Sequence, residues 1–328
     1  MSTPGPRVVS ALGLFHQNPD MRFCKMFDRF KSLLSRENAI FRQAGEGRRT
    51  PHVILASVLS IALILLAFGS VAVVLKFTVG RDNIDAFMDG TFGLFVPFAW
   101  LVVLIALWVR FYEKRSPASM GFRGRGALVK YLRGFALGLV MVSCVVGLMA
   151  LAGGIEVDTE GTVPVGGAAA GGLLLVMLGF IIQGGAEEIV FRGWYMQVVG
   201  KRHYPWLGLL LSVILFGALH GPASAFPIIA LLLYGLFLGL YYLREGSIWG
   251  VCGWHSAWNW SLGNVYGLTV SRKEPLQGVL FDFKAIGPTW LTGGEFGPEA
   301  SLMTILVVLA AIPLLVLTVK RTIPERSQ

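Results

Sequence analysis

Six residues of types that move protons or hold charge fall within one short, largely apolar part of this 328-residue sequence. Glu187 and Glu188 stand in Gln183-Gly-Gly-Ala-Glu-Glu-Ile-Val-Phe-Arg-Gly193. His220 closes Phe216-Gly-Ala-Leu-His220, and His255 and Asn259 stand in Trp254-His-Ser-Ala-Trp-Asn259. On a helix, Glu188 and Arg192 are four residues apart and can pair on one face. Glu187 points about 100° away and is not committed to the same arginine. Two adjacent carboxylates in a low-dielectric site repel each other, and Arg192 keeps Glu188 ionised. Glu187, without that partner, is the carboxylate suited to a general base. His255 and Asn259 are also four apart and project from a single face. Each feature alone has a plain structural reading, as a bundle ion pair, a helix-contact histidine or an interhelical asparagine. Together they are hard to explain as glue, because ionisable groups inside apolar helices are expensive and mark function.

The elements that must carry these residues are membrane spans. Hydrophobic residues make up 55% of the chain and charged residues only 14%, against roughly 45–50% and 25% in soluble domains. Runs between charges give eight expected spans, at 53–75, 92–109, 135–151, 172–199, 206–221, 227–243, 248–268 and 303–319, each near the length that crosses a bilayer. The fourth carries Glu187, Glu188 and Arg192; the fifth and sixth are short and resemble a hairpin. The expected fold is an all-α, polytopic transmembrane bundle of about eight spans. No signal peptide is evident, and Cys24, Cys144 and Cys252 form no disulfide or zinc framework.

The net charge of +9 follows topology and not nucleic-acid binding. With both termini cytoplasmic, 23 of the 28 Lys and Arg residues fall on the inner side, Arg115 and Arg192 among them, and five (Lys76, Arg81, Arg272, Lys273, Lys284) fall outside. Basic residues set orientation in this way. Residues 1–50 form a basic arm in which Phe23, Met26, Phe27, Phe30, Leu33 and Leu34 repeat at helical spacing. An anionic leaflet is one partner for that face; the protein's own cytoplasmic surface is the other. Residues 51–165 hold the first spans, 166–270 the chemically equipped core, and 271–328 an external loop, the last span and a short cytoplasmic tail. The loop at 153–172, rich in glycine, reads as flexible and external. With the basic arm it favours a bacterial inner membrane.

In order, Glu187-Glu188-x-x-x-Arg192, Phe216-x-x-x-His220 and His255-x-x-x-Asn259 resemble the three motifs of the CPBP family, which comprises type II CAAX prenyl endopeptidases and the Abi bacteriocin-processing or immunity homologues. The resemblance covers roughly residues 170–265. Some members have a third glutamate before the pair, where this chain has Ala186. The resemblance implies an endopeptidase acting on a membrane-embedded or lipid-modified protein or peptide. It implies Glu187 as the base that activates water, His220 as a holder of that water or of a metal, and His255 and Asn259 as donors to the oxyanion, with Glu188 and Arg192 bracing the site. Zinc is the cofactor to weigh, with Glu187, His220 and His255 as its three ligands. The His-Glu-x-x-His signature is absent, and a metal-free glutamate mechanism, slightly favoured, uses the same residues.

Two other functions fit the residues less well. A proton-coupled transporter would use Glu187 and the histidines as a relay, but no duplicated halves are visible. A non-catalytic immunity or scaffold protein would keep the pocket without turnover. Counting along straight helices sets Glu187 and His220 at different depths, so one of these helices is expected to start deeper, tilt or break, with Gly184-Gly185 and Gly221-Pro222 as the candidate break points.

Overall fold

The computed structural model describes residues 19–80, 83–161, 163–221 and 224–318, and its regular structure is almost entirely helical. The arm folds as α1 (Pro19–Leu33) and α2 (Ala39–Ala44). There follow α3 (Val53–Thr78), a short α4 (Ile84–Asp89), and α5 (Thr91–Leu107), which ends in a π-helical turn at Trp108–Tyr112. After α6 (Ala127–Leu151) and strand β1 (Ile155–Val157), α7 (Ala170–Glu188) continues through a π-helical stretch (Ile189–Met196) into α8 (Gln197–Arg202). Next come α9 (Pro205–Leu219), α10 (Ala225–Glu245) and α11 (Trp249–Trp260), the last prolonged by a π-helical turn at Ser261–Val265. Strand β2 (Phe283–Ala285), α12 (Thr289–Thr292) and α13 (Leu302–Leu317) complete the described chain.

Five helical runs are long and apolar enough to cross a membrane: Val53–Thr78, Thr91–Tyr112, Ala127–Leu151, Gly166–Arg202 and Ala225–Glu245. Pro205–Leu219 and Leu302–Leu317 are apolar but shorter. Each of the eight expected spans therefore contains a helix, and the protein is an all-α polytopic bundle. In α3, Ala56, Ser60, Leu63, Ala67 and Val71 are buried while Ile54, Leu65 and Phe77 are exposed. A hydrophobic helix with one small-residue face turned inward and large apolar side chains turned outward is built for lipid, where close packing and not water exclusion drives association.

Glycines set the approach that brings α11 into place. A Cβ on Gly134 of α6 would lie 1.9 Å from the Gly250 carbonyl oxygen, and one on Gly253 would lie 2.1 Å from that of Tyr131. No side chain fits at either position, so α6 and α11 meet backbone to backbone. Gly184 of α7 also lies close to α11, less tightly, its notional Cβ 3.2 Å from the His255 ring.

Several expectations are corrected. Gly184-Gly185 is not a break: α7 runs through it, and Gly184 serves close packing against His255. The depth conflict disappears because the helical run extends to Arg202. Glu187 lies 15 residues before that end, and His220 lies 15 residues after Pro205, where α9 begins the return. The two therefore sit level. Gly221 does close α9 with φ +58, while Pro222 lies outside the described residues. Arg192, counted among inner-side charges, is fully buried, as nearly is Arg115. The glycine-rich loop is pinned, because β1 pairs antiparallel with β2 in the register Ile155 to Ala285. In the arm, Leu33 is buried and Met26, Phe30 and Leu34 pack on the core. Phe27 alone of the described apolar set on α1 is largely exposed. The side chains of Phe23 and Cys24, and the chain termini, lie outside the described residues.

Candidate active site

The three motifs converge although 72 residues separate Glu187 from Asn259. Glu187 and Glu188 end α7, where the backbone widens into the π-helical stretch. Asn259 similarly precedes the π-helical turn at Ser261. Such bulges recur at functional sites because they re-aim side chains within a continuous helix. His220 caps α9, and His255 faces α7 across the Gly184 contact.

Glu188 is fully buried and serves two partners with one oxygen. Its Oε1 accepts from Arg192 Nη1 at 2.9 Å and from His255 Nδ1 at 2.8 Å. The Arg192 guanidinium lies over the Phe216 ring, 4.3 Å from its centroid, which ties the second motif to the first. Glu188 thus fixes the tautomer of His255: with Nδ1–H donating to a carboxylate, Nε2 of the neutral ring carries the lone pair. His220 is fixed in the same sense. Its Nδ1 stands 2.8 Å from the Phe216 carbonyl oxygen, which can only accept, so Nε2 carries the lone pair here as well.

Both Nε2 atoms face Glu187. Its Oε2 lies 3.8 Å from His220 Nε2 and 3.7 Å from His255 Nε2, and it is buried with no hydrogen-bond partner. Glu187 Oε1 is oriented by Gln183, whose Nε2 donates at 2.6 Å. The Gln183 Oε1 in turn accepts from Asn259 Nδ2 at 2.9 Å. Asn259, Gln183 and Glu187 therefore form a chain of hydrogen bonds that aims the carboxylate. Gln183 had no assigned role in the sequence reading. The available signal was its position, one helical turn before Glu187 on the same face.

Three lone-pair atoms turned on one point repel unless a proton or a cation lies among them. Zinc binds imidazole nitrogen and carboxylate oxygen, and its histidines donate their other N–H to a carboxylate or a carbonyl. Glu187, His220 and His255 meet both requirements through Glu188 and the Phe216 carbonyl. As placed, the set is slightly open, and among the described residues no group of three or more His, Cys, Asp and Glu is gathered as a metal cluster. In chemistry, then, the residues fit a zinc ion and also fit a water molecule.

The cluster forms the polar end of a cavity of about 380 Å³, within the range of about 300–1,000 Å³ for small-ligand pockets. Its walls are apolar: Ile64 and Phe68 of α3, Phe98 and Leu101 of α5, and Phe180 and Leu231 line it. Its rim carries Asp89, Lys273 and Glu274, and Lys273 pairs with Asp89. Arg272 fastens the same loop to the end of α9 by donating to the Gly221 carbonyl at 2.7 Å. Three further charged residues, Glu113, Arg115 and Glu299, are buried outside the three motifs. Glu113 and Arg115 pair at 2.7 Å and are joined by Gln197 and Ser119, away from the cavity. Glu299 accepts from Trp258 Nε1 at 3.0 Å and from Ser271. It ties the rim loop to α11.

Fold and cluster together define an integral membrane protein with a chemically equipped cavity among its helices. Residues 168–261 match the family model described as type II CAAX prenyl endopeptidase Rce1-like. Over that segment the chain is similar to the CPBP membrane proteases, as its three motifs implied, and the similarity points to an intramembrane CAAX-type protease. No curated protein and no solved structure matches the chain.

Proposed function

We propose that this protein is an intramembrane endopeptidase that hydrolyses a peptide bond in a lipid-modified or membrane-embedded protein or peptide, with Glu187 as general base. The observation that carries this reading is the unpartnered, buried Oε2 of Glu187, facing two imidazole nitrogens whose tautomers are already set. A water placed there gives one hydrogen to Glu187 and the other to His220 Nε2. Glu187 takes the first proton as the water oxygen attacks the scissile carbonyl carbon. Asn259 keeps one amide hydrogen for the oxyanion, since the other is spent on Gln183. His255 contributes when its Nε2 is protonated, with Glu188 stabilising the positive charge that the ring then carries. The proton held by Glu187 passes to the leaving amine as the C–N bond breaks. Glu188 and Arg192 do not touch substrate in this scheme; they position His255. Were zinc bound, Glu187, His220 and His255 would hold it, and it would supply Lewis-acid polarisation of the carbonyl.

The apolar walls support a lipid chain or a hydrophobic segment as the part of the substrate that binds. An internally quenched peptide ending in a farnesylated Cys-aliphatic-aliphatic-X sequence is the direct probe. The protein in lipid nanodiscs is expected to release the last three residues, and to act at least about tenfold more slowly on the same peptide without the farnesyl group. Equal rates on both would remove the lipid from the reading.

Eight crossings with both termini cytoplasmic complete the proposal, resting on the basic bias of the inner loops. Asp89, Lys273 and Glu274 then lie on the external side, and the cavity opens there. In cells, Glu274→Cys is expected to react with a membrane-impermeant maleimide before lysis, while a phosphatase fused after Gln328 stays inactive. Labelling of that cysteine only after lysis would invert the topology. The exposed Phe27 and Lys31 of α1 remain the described contacts through which the arm would touch anionic lipid.

A further inference from the structure

Among the described residues that line the cavity, two side-chain atoms are buried without a hydrogen-bond partner: Glu187 Oε2 and the hydroxyl of Tyr234. One is an acceptor, and the other is a donor. Tyr234 belongs to none of the three motifs. It stands on α10 and lines the cavity. Its ring lies parallel to Phe216 at 5.8 Å between centroids. It forms T-shaped contacts with Trp254 at 4.9 Å, His255 at 5.6 Å and Trp258 at 5.6 Å between centroids. The ring is therefore held by the first residue of the second motif, by a histidine of the third, and by the residue next to Asn259. A phenylalanine would make all of these ring contacts. The hydroxyl adds nothing to the packing, and an unpaired buried hydroxyl is a cost that calls for a reason.

We infer that the Tyr234 hydroxyl is a catalytic donor to the carbonyl oxygen of the scissile bond as that oxygen gains negative charge. The inference rests on the endopeptidase reading and extends it to a fourth helix. The oxyanion needs preorganised donors that are free in the resting site. Asn259 has spent one amide hydrogen on Gln183, and His255 has spent Nδ1–H on Glu188. The Tyr234 O–H is unspent. Its proton stays on the phenol throughout: the hydrogen bond strengthens in the transition state and relaxes as the carbonyl reforms in the product.

The test is Tyr234→Phe in lipid nanodiscs with the quenched farnesylated peptide, beside wild type and Glu187→Gln. Tyr234→Phe is expected to lower kcat by about 10²-fold with KM nearly unchanged. The melting temperature should hold or rise, because the unpaired hydroxyl is removed and the ring stack is kept. A structural role for the hydroxyl predicts the reverse: a lower melting temperature and normal kcat. A kcat within about twofold of wild type, with Glu187→Gln inactive, overturns the role of Tyr234 and leaves the protease reading intact. If Glu187→Gln cleaves at the wild-type rate, or wild type does not cleave, the endopeptidase reading falls and Tyr234 falls with it.

Discussion

Glu187→Gln is expected to lower turnover by about 10²–10⁴-fold, the range a positioned general base contributes, while the protein folds and melts as wild type does. The substitution keeps volume and shape and puts an amide NH2 in place of a carboxylate oxygen, so the buried, unpartnered basic atom that faces both imidazoles is lost. The Gln183 amide can still donate to the new side-chain oxygen, so the aiming chain survives. Glu188→Gln is expected to behave differently. Its carboxylate faces Arg192 at 2.9 Å and His255 at 2.8 Å, with Glu188 and Arg192 both fully buried. Removing the charge strands the guanidinium, and breaking a buried pair costs about 3–5 kcal/mol. Expression and thermal stability in detergent should therefore fall most for Glu188→Gln, and activity most per folded molecule for Glu187→Gln. If Glu188→Gln were the stable but inactive variant, the roles of the two carboxylates would be exchanged.

Asn259→Ala is expected to lower kcat by about 10²-fold or more with little change in KM, as when an interaction is made only in the transition state. The structure gives Asn259 two tasks in such a site: its hydrogen bond to Gln183 aims Glu187, and its remaining amide hydrogen is free for the oxyanion. Asn259→Asp should be at least as damaging, because an ionised carboxylate repels both Gln183 Oε1 and the oxyanion. Gln183→Leu separates the tasks. It removes the donor to Glu187 Oε1 and leaves the asparagine in place, so its kcat should fall less than that of Asn259→Ala. An asparagine that merely ties α11 to α7 predicts lower thermal stability and normal turnover of the surviving protein. A proton-coupled transporter has no direct use for Asn259, whose amide neither takes up nor releases a proton at any accessible pH.

What the sequence discloses here is what local spacing can encode. The apolar runs locate the helices, since about 20 apolar residues have few alternatives to a span. The four-residue spacing of Glu188 and Arg192 gives their ion pair, and the separate direction of Glu187 gives its independence from it. What stayed hidden depends on distance in space. That Glu188 reaches His255, and that the Phe216 carbonyl orients His220, follow from packing between helices that no single periodicity reports. Gly184-Gly185 reads as a hinge because glycine is permissive, yet α7 runs through it unbroken, with Gly184 close against α11. The π-helical stretches carry no distinctive composition, and counting Glu187 from an external start at Gly172 sets it at a different depth from His220, whereas the run is longer than a bilayer and places the two level when both are counted from the turn between Arg202 and Pro205. Tyr234 lies in an ordinary apolar helix, and only its unpaired hydroxyl in the folded cavity sets it apart.

The central claim is that a peptide bond in a membrane substrate is cleaved by Glu187. Profiling new protein N-termini by mass spectrometry tests it without a prior choice of substrate. Membranes from cells that lack the protein are supplied with wild type or with Glu187→Gln at equal abundance. At least one membrane-associated or lipid-modified protein or peptide is predicted to gain a new N-terminus with wild type and not with Glu187→Gln, and its cleavage site should lie next to the lipid-bearing residue or an apolar segment. Identical N-termini in both membranes, with both proteins folded, would contradict it.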